Sequence, residues 1–395
     1  MNRSIYWVMA LAAGLVVANN YYNQPLLVDF AHTFDVTERA AGAASVAAQT
    51  GYALGLLLFV PLGDMVRRTT LFTVTLLAAA ASLVATALAP TLAWLIVASF
   101  VTSLTSVAPQ LLTPLAAQLA GPQQRGRAVG TVMFGLLCGI LLSRTVSGVL
   151  AASFGWRAVY GMAAVAMVGV VVMLLALMPR TEPAFSGTWR ELMGSLWTLL
   201  RDAPLIRQTS CIAALQFAAF SAFWTTLAFH LHAMNAHYGS ATAGLFGLVG
   251  VVGASASTVS GKWTDRGDAR GIVLAGGITM LAAYGVFALV GGSIAGLIAG
   301  VIVLDFGAQI GHVANMSRNM GVSAGAMNRI NTLYMTIRFA GGALGTAVGT
   351  FAWSIWSWAG VCAVGLGFAA ASVLVQLLAE RGTLSLFAGR DETNG

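Results

Sequence analysis

Leu297-Ile298-Ala299-Gly300-Val301-Ile302-Val303-Leu304-Asp305 is an unbroken apolar run that ends on a carboxylate. The apolar stretch extends from Ile294 to Met316, and a membrane-crossing helix needs about 20 such residues. A carboxylate at the middle of that helix costs about 2.5–3.5 kcal/mol to insert, and at that depth it faces a cavity or a partner charge rather than lipid. Gln309, His312 and Asn315 follow at helical spacing on one face. The stripe predicts a helix that lines a polar path through a membrane. The rest of the chain reads as that helix's surroundings.

Composition agrees. Hydrophobic residues make up 58% of the 395-residue chain and charged residues 8%, against about a quarter charged in a soluble domain. Mean hydropathy is +0.82, which places the chain among polytopic membrane proteins. Cys138, Cys211 and Cys362 fall inside apolar runs, so no disulfide framework is implied. The opening segment, Ile5 to Ala18, continues into Asn19-Asn20-Tyr21-Tyr22 without a convincing cleavage site, so it is expected to remain as the first span.

Twelve spans are predicted. Spans 1–6 lie at 5–30, 40–61, 70–89, 92–118, 128–151 and 158–178, and spans 7–12 at 206–232, 241–261, 271–290, 294–316, 329–352 and 358–379. The domain plan is an amino-terminal six-helix bundle over 1–178, a central loop over 179–205, a carboxyl-terminal bundle over 206–380 and a tail over 381–395. Within the loop, Trp189, Leu192, Met193, Leu196, Trp197 and Leu200 share one helical face, as in an amphipathic helix lying in the membrane interface. A plain linker is the alternative. Of the 20 Lys and Arg, Arg39 and Arg157 fall on one side, Arg144 and Arg338 lie within spans, and the others share the side of the termini. Both termini and the central loop are therefore expected in the cytoplasm. The net charge of +7 reflects that topology and anionic lipid, with no need to invoke nucleic acid.

The halves repeat. A shift of 202 residues carries Arg127 onto Arg329, Met133 onto Met335, Gly139 onto Gly341 and Trp156 onto Trp358. Two six-helix halves in parallel topology, with a site between them near mid-depth, is a transporter plan.

Between spans 8 and 9, Gly261-Lys262-Trp263-Thr264-Asp265-Arg266-Gly267-Asp268-Ala269-Arg270 resembles the signature loop of the major facilitator superfamily, Gly-x-x-x-Asp-Arg-x-x-x-Arg. Between spans 2 and 3, Gly63-Asp64-Met65-Val66-Arg67-Arg68 keeps the aspartate and the basic pair but has Val60 where that pattern carries its glycine. The resemblance covers the whole chain in span number, central loop and repeat. It implies an all-α membrane protein with two pseudo-symmetric bundles. It also implies that Asp64, Arg67, Arg68, Gly261, Asp265, Arg266 and Arg270 form gating loops that latch the cytoplasmic ends. On chemistry alone, those aspartates suit helix N-termini, the arginines suit carboxylates or lipid phosphates, and topology alone could explain both.

Two cations lie inside spans. Arg144 follows Gly135 and Gly139, a small-xxx-small pair that brings two helices together. In superfamily exporters a glycine-rich motif on span 5 marks the antiporters, usually with Gly-Pro in its core, and this chain lacks the proline. Arg144 is expected in the outer half of the membrane, as a salt bridge to Asp29 or as a substrate contact. Arg338 stands at a depth similar to Asp305, so the two are expected either to pair structurally or to share a proton-coupling role.

Span 1 carries the densest polar patch, Asn19 to Gln24, closed by Pro25. The resemblance implies that spans 1, 4, 7 and 10 line the central cavity. Substrate contact is thereby carried to Asn20, Asn23, Gln24, Gln110, Gln216, Trp224, Gln309 and His312, with Gln49 and Tyr52 at the border. Interhelical hydrogen bonding is the alternative for each amide. His230 and His232 are expected at the interface.

No HExxH, P-loop or Gly-x-Ser-x-Gly motif is present, so enzymatic and nucleotide-driven mechanisms are not expected, nor is a cofactor or a metal. The expectation is a monomeric secondary transporter of the bacterial inner membrane, working with a small organic solute, protons and lipid as partners. It resembles the drug:proton antiporter-like exporters. A proton symporter for uptake and a non-transporting sensor or scaffold are the alternatives.

Overall fold

A bilayer core offers no partner for a bare peptide group, so long apolar segments become helices that satisfy their own backbone donors and acceptors. The computed structural model describes residues 4–120, 124–178, 187–254, 269–320 and 326–380, and every regular element among them is helical. Nine of these helices are long and apolar enough to cross a membrane, and Ile5–Ala18 and Ser240–Gly250 are shorter apolar ones. Met327–Glu380 contains spans 11 and 12 joined without a loop, broken at Ser357 with φ 49° and ψ −139°. The set is consistent with twelve crossings.

Two spans are not single helices. Span 1 runs Ser4–Ala18, turns through Asn19–Asn23, makes a single 3-10 turn at Gln24–Leu26 and resumes as Leu27–Phe34. Pro25 falls in that first turn, where its missing N–H leaves no bond unmade. Span 4 divides into Leu92–Thr105 and Ala108–Leu119, with Pro109 at the start of the second piece. Other spans run longer than the sequence predicts: span 2 is Glu38–Met65, span 5 Arg125–Phe154 and span 10 Ile294–Met320. Thr37 and Thr91 cap spans 2 and 4, each accepting from the backbone N–H three residues on at 3.3 Å.

Helices in lipid associate by close packing of small residues. A Cβ on Gly139 would lie 2.2 Å from Gly14 O, so spans 5 and 1 meet backbone to backbone. Its partner in the 202-residue repeat, Gly341, does the same in the other half, where a Cβ would lie 2.3 Å from Ala214 O on span 7.

The halves meet closely at the end opposite the termini, here called the distal end. Thr145 Oγ1 of span 5 donates to Gly244 O of span 8 at 2.9 Å. Trp353 Nε1 of span 11 donates to Glu38 Oε2 of span 2 at 2.6 Å. Gln49 of span 2 donates to Thr346 Oγ1 at 2.7 Å and accepts from Ser221 Oγ of span 7 at 3.3 Å.

The central loop does contain the amphipathic helix, Trp189–Asp202, with a capping box between Thr188 and Glu191. Its apolar face is only partly free for lipid. Leu192 and Leu196 are buried in the protein, while Trp197 is 68% exposed.

Candidate functional site

Span 5 delivers Arg144 to the boundary between the halves with its side chain 1% exposed. Its Nε donates to Gln24 Oε1 at 2.7 Å and its Nη1 to Ile140 O at 3.0 Å. The guanidinium lies 4.7 Å from the Tyr21 ring centre and 4.3 Å from that of Trp224, one ring from each half. Trp224 Nε1 in turn donates to Asp305 Oδ1 at 3.3 Å. Arg144 is the cation whose charge acts on Asp305. The carboxylate fits because span 8 has Gly250 there: a Cβ at that position would lie 2.5 Å from Asp305 Oδ2. Cation, indole and carboxylate thus form one chain across the two halves.

This corrects two expectations. Asp305 does not pair with Arg338. Arg144 does not meet Asp29, which is held instead by Ser240 beside His32 and His232. Both corrections have one cause: helix rotation, which depth alone does not fix, turns Asp305 toward spans 5 and 8.

Arg338 occupies a second polar centre. Its guanidinium lies 4.3 Å from the Phe217 ring centre, beside the hydroxyl of Tyr334 one helical turn back on span 11. Tyr334 Oη is 3.0 Å from His312 Nδ1, and the two rings stack at 12°. No carboxylate among the described residues lies within 4.0 Å of Arg338, nor of Arg144, whose link to Asp305 runs through the Trp224 indole.

The predicted amides part company. Gln24 joins the Arg144 centre. Asn23 Oδ1 accepts from Ser45 Oγ of span 2 at 3.2 Å, an interhelical bond within one half. Asn20 Nδ2 reaches only Val17 O, at 3.4 Å. Gln110 accepts from Asn331 of span 11 at 3.5 Å, across the halves toward the terminal end. Gln216 is turned into its own bundle, against Gly311 and Gly277. Gln309 is half-buried. His230 is buried rather than interfacial, stacked on Trp358 at 3.8 Å with Nε2 2.9 Å from Gly291 O.

At the terminal end, Arg68 Nη2 lies 3.8 Å from Asp64 Oδ1 and Nη1 donates to Gln118 at 2.8 Å. Asp64 also faces Asn328 and Arg329 of span 11, while Arg67 and Arg270 point outward. Gly261, Asp265 and Arg266 lie outside the described residues.

Tyr21, Tyr334, Phe217 and Gly250 were not singled out as site residues by the sequence. Tyr334 and Phe217 carried a usable signal, one turn from Arg338 and two turns from Trp224 respectively. A glycine such as Gly250 announces nothing about whom it meets.

A helical membrane protein whose two halves are bridged at mid-depth by buried charges has the anatomy of a transporter. The chain belongs to the major facilitator superfamily, whose family model matches residues 9–346. It is 39% identical over 368 residues to an uncharacterized transporter, YgaY, of Escherichia coli O157:H7, with 93% of each chain covered. It is 34% identical over 364 residues to a protein of Streptomyces coelicolor described as a probable transporter, SCO4007, covering 90% of this chain and 83% of that one. The crystal structure of the nucleoside transporter NupG matches with a TM-score of 0.76 at 12% identity, over 98% of this chain and 100% of that one. At that identity the likeness speaks for the fold alone.

Proposed function

We propose that this protein moves a small organic solute across the bacterial inner membrane by alternating access, with proton movement coupled through Asp305. Both termini are cytoplasmic in this reading, which the distribution of basic residues supports, and one chain suffices as the transporting unit. The carrying observation is the bridge Arg144–Trp224–Asp305 between the halves. A charged Asp305 accepts from Trp224 and complements Arg144; a proton on it weakens both interactions. One protonation event thereby changes how firmly the distal end is held. Export in exchange for protons is the direction that the resemblance of span 5, with Gly135 and Gly139, to the glycine-rich span of superfamily exporters implies.

A second reading, proton symport, is favoured by Arg338. With no described carboxylate within 4.0 Å of it, the set of Arg144, Arg338 and Asp305 inside the spans carries surplus positive charge. A proton on Asp305 and an anionic solute would then bind cooperatively instead of competing. The test is proton movement in proteoliposomes, read by an enclosed pH-sensitive dye as solutes are added. Exchange drives protons against the solute, symport with it. Asp305→Asn is expected to abolish the proton signal while preserving solute counterflow. Unchanged proton movement in that variant would remove Asp305 from the mechanism, and absence of any solute flux would leave a sensor or scaffold.

A further inference from the structure

Arg338 presents a problem of charge that the described residues do not solve. A cation at mid-depth needs a counter-charge, and the groups around this one are uncharged acceptors and rings. The Tyr334 hydroxyl stands beside its five N–H donors, and Phe217 covers one face of the guanidinium. Its side chain is half-buried, so an edge stays reachable. Aromatic rings continue outward from it. Phe339 packs on Phe217 edge-on at 4.9 Å, and Tyr52 packs on Phe339 at 4.5 Å. In the other direction Phe217 stacks on Phe220 at 5.6 Å, and Phe220 lies 6.0 Å from Trp224. A planar fork of donors is thus set at the middle of an aromatic wall that ends at the Arg144 centre.

The other centre rules on ligand charge. A lipophilic cation is held by ring faces beside a carboxylate. The two ring faces near Asp305, those of Tyr21 and Trp224, are already covered by Arg144. The protein supplies its own cation there and leaves its other arginine unmatched.

We propose that the solute is an organic monoanion whose carboxylate docks on Arg338 and whose apolar or aromatic body lies along Phe217, Phe339 and Phe220. The assignment rests on the transport reading above and names its substrate class. Tyr334, locked by His312, holds the guanidinium in plane for two parallel N–H···O bonds.

The test uses the full-length protein in detergent, with binding read from tryptophan fluorescence and from melting temperature. The probes are benzoate and 2-naphthoate, their neutral amides, 2-naphthylmethylammonium and inorganic phosphate. Either carboxylate should bind, and its amide at least tenfold more weakly. Arg338→Gln should weaken the carboxylate at least tenfold, and Arg338→Lys, which keeps the charge without the fork, should restore part of it. If Arg338→Gln does not fold, Tyr334→Phe removes only the positioning hydroxyl and should weaken the carboxylate severalfold without affecting the amide. Equal binding of acid and amide, preference for the ammonium, phosphate binding as well as naphthoate, or no binding of either acid would each overturn the proposal. None of these outcomes touches the transport reading, which fails only if no solute on a wider panel produces flux.

Discussion

Arg144 and Arg338 are both arginines inside membrane spans, one in each half, yet they stand in opposite circumstances. Arg144 is wholly buried, bonded to Gln24, covered by two rings and linked through the Trp224 indole to Asp305 of the other half. Arg338 is half-buried and has a tyrosine and a phenylalanine for company. A buried charge whose partner sits on the opposite half joins the halves. A charge left without one recruits its partner from outside. The same residue type therefore serves as a strut in one place and as a receptor in the other.

That contrast can be broken. Arg144→Gln leaves Asp305 without its cation and should lower stability in detergent by about 3–5 kcal/mol, the usual cost of orphaning a buried partner. Adding Asp305→Asn should recover much of that loss, whereas Arg338→Gln alone should cost about 1 kcal/mol, the worth of its ring contact. Equal losses for the two arginines by chemical denaturation would dissolve the distinction. Next in size, Gly250→Ala pushes a methyl into the Asp305 carboxylate and should cost about 1–3 kcal/mol by overpacking. Gly130→Ala, with nothing within 4 Å of the added carbon, should be near neutral by the same measurement.

Trp353→Phe removes the donor to Glu38 at the distal end and should cost about 1.5 kcal/mol. It should also speed labelling of a cysteine placed at the distal mouth. Thr188→Ala, which strips the capping box from the loop helix, should cost about 1 kcal/mol. Its signature is faster amide exchange confined to that helix, with both arginine centres unmoved.

How much of this was legible beforehand depends on which coordinate is asked for. Depth was legible: apolar length and 1.5 Å per residue place Asp305, Arg144 and Arg338 inside the membrane. The repeat was legible too, and Gly139 and Gly341 make equivalent close approaches. Azimuth was not. Asp305 and Arg338 are expected at one depth but point to different neighbours, and Gln216 turns inward against Gly311 although the resemblance assigns its span to a central cavity. Which way a helix faces is set by the shapes packed around it, spread over many residues. The breaks in spans 1 and 4 lie between these cases. Their polar patch and their prolines were visible, but a bilayer-length apolar run reads as continuous even where the chain turns inside it.

The turn at Ser357 has a mechanical consequence. Spans 11 and 12 are joined by one residue of left-handed φ and no loop, so there is no slack to let one slide along the other. A ratchet of span 11 by a helical turn would have to unwind helix at the hinge. The displacement left open to it is a tilt about that hinge, and under a tilt, travel grows with distance from the pivot. Arg338 stands 19 positions from Ser357, about 28 Å of helix. A rocking of ten degrees there would carry its guanidinium by roughly 5 Å, on the order of one helical pitch. Span 11 would then act as a lever with its fulcrum at Ser357 and its load past the middle of the arm.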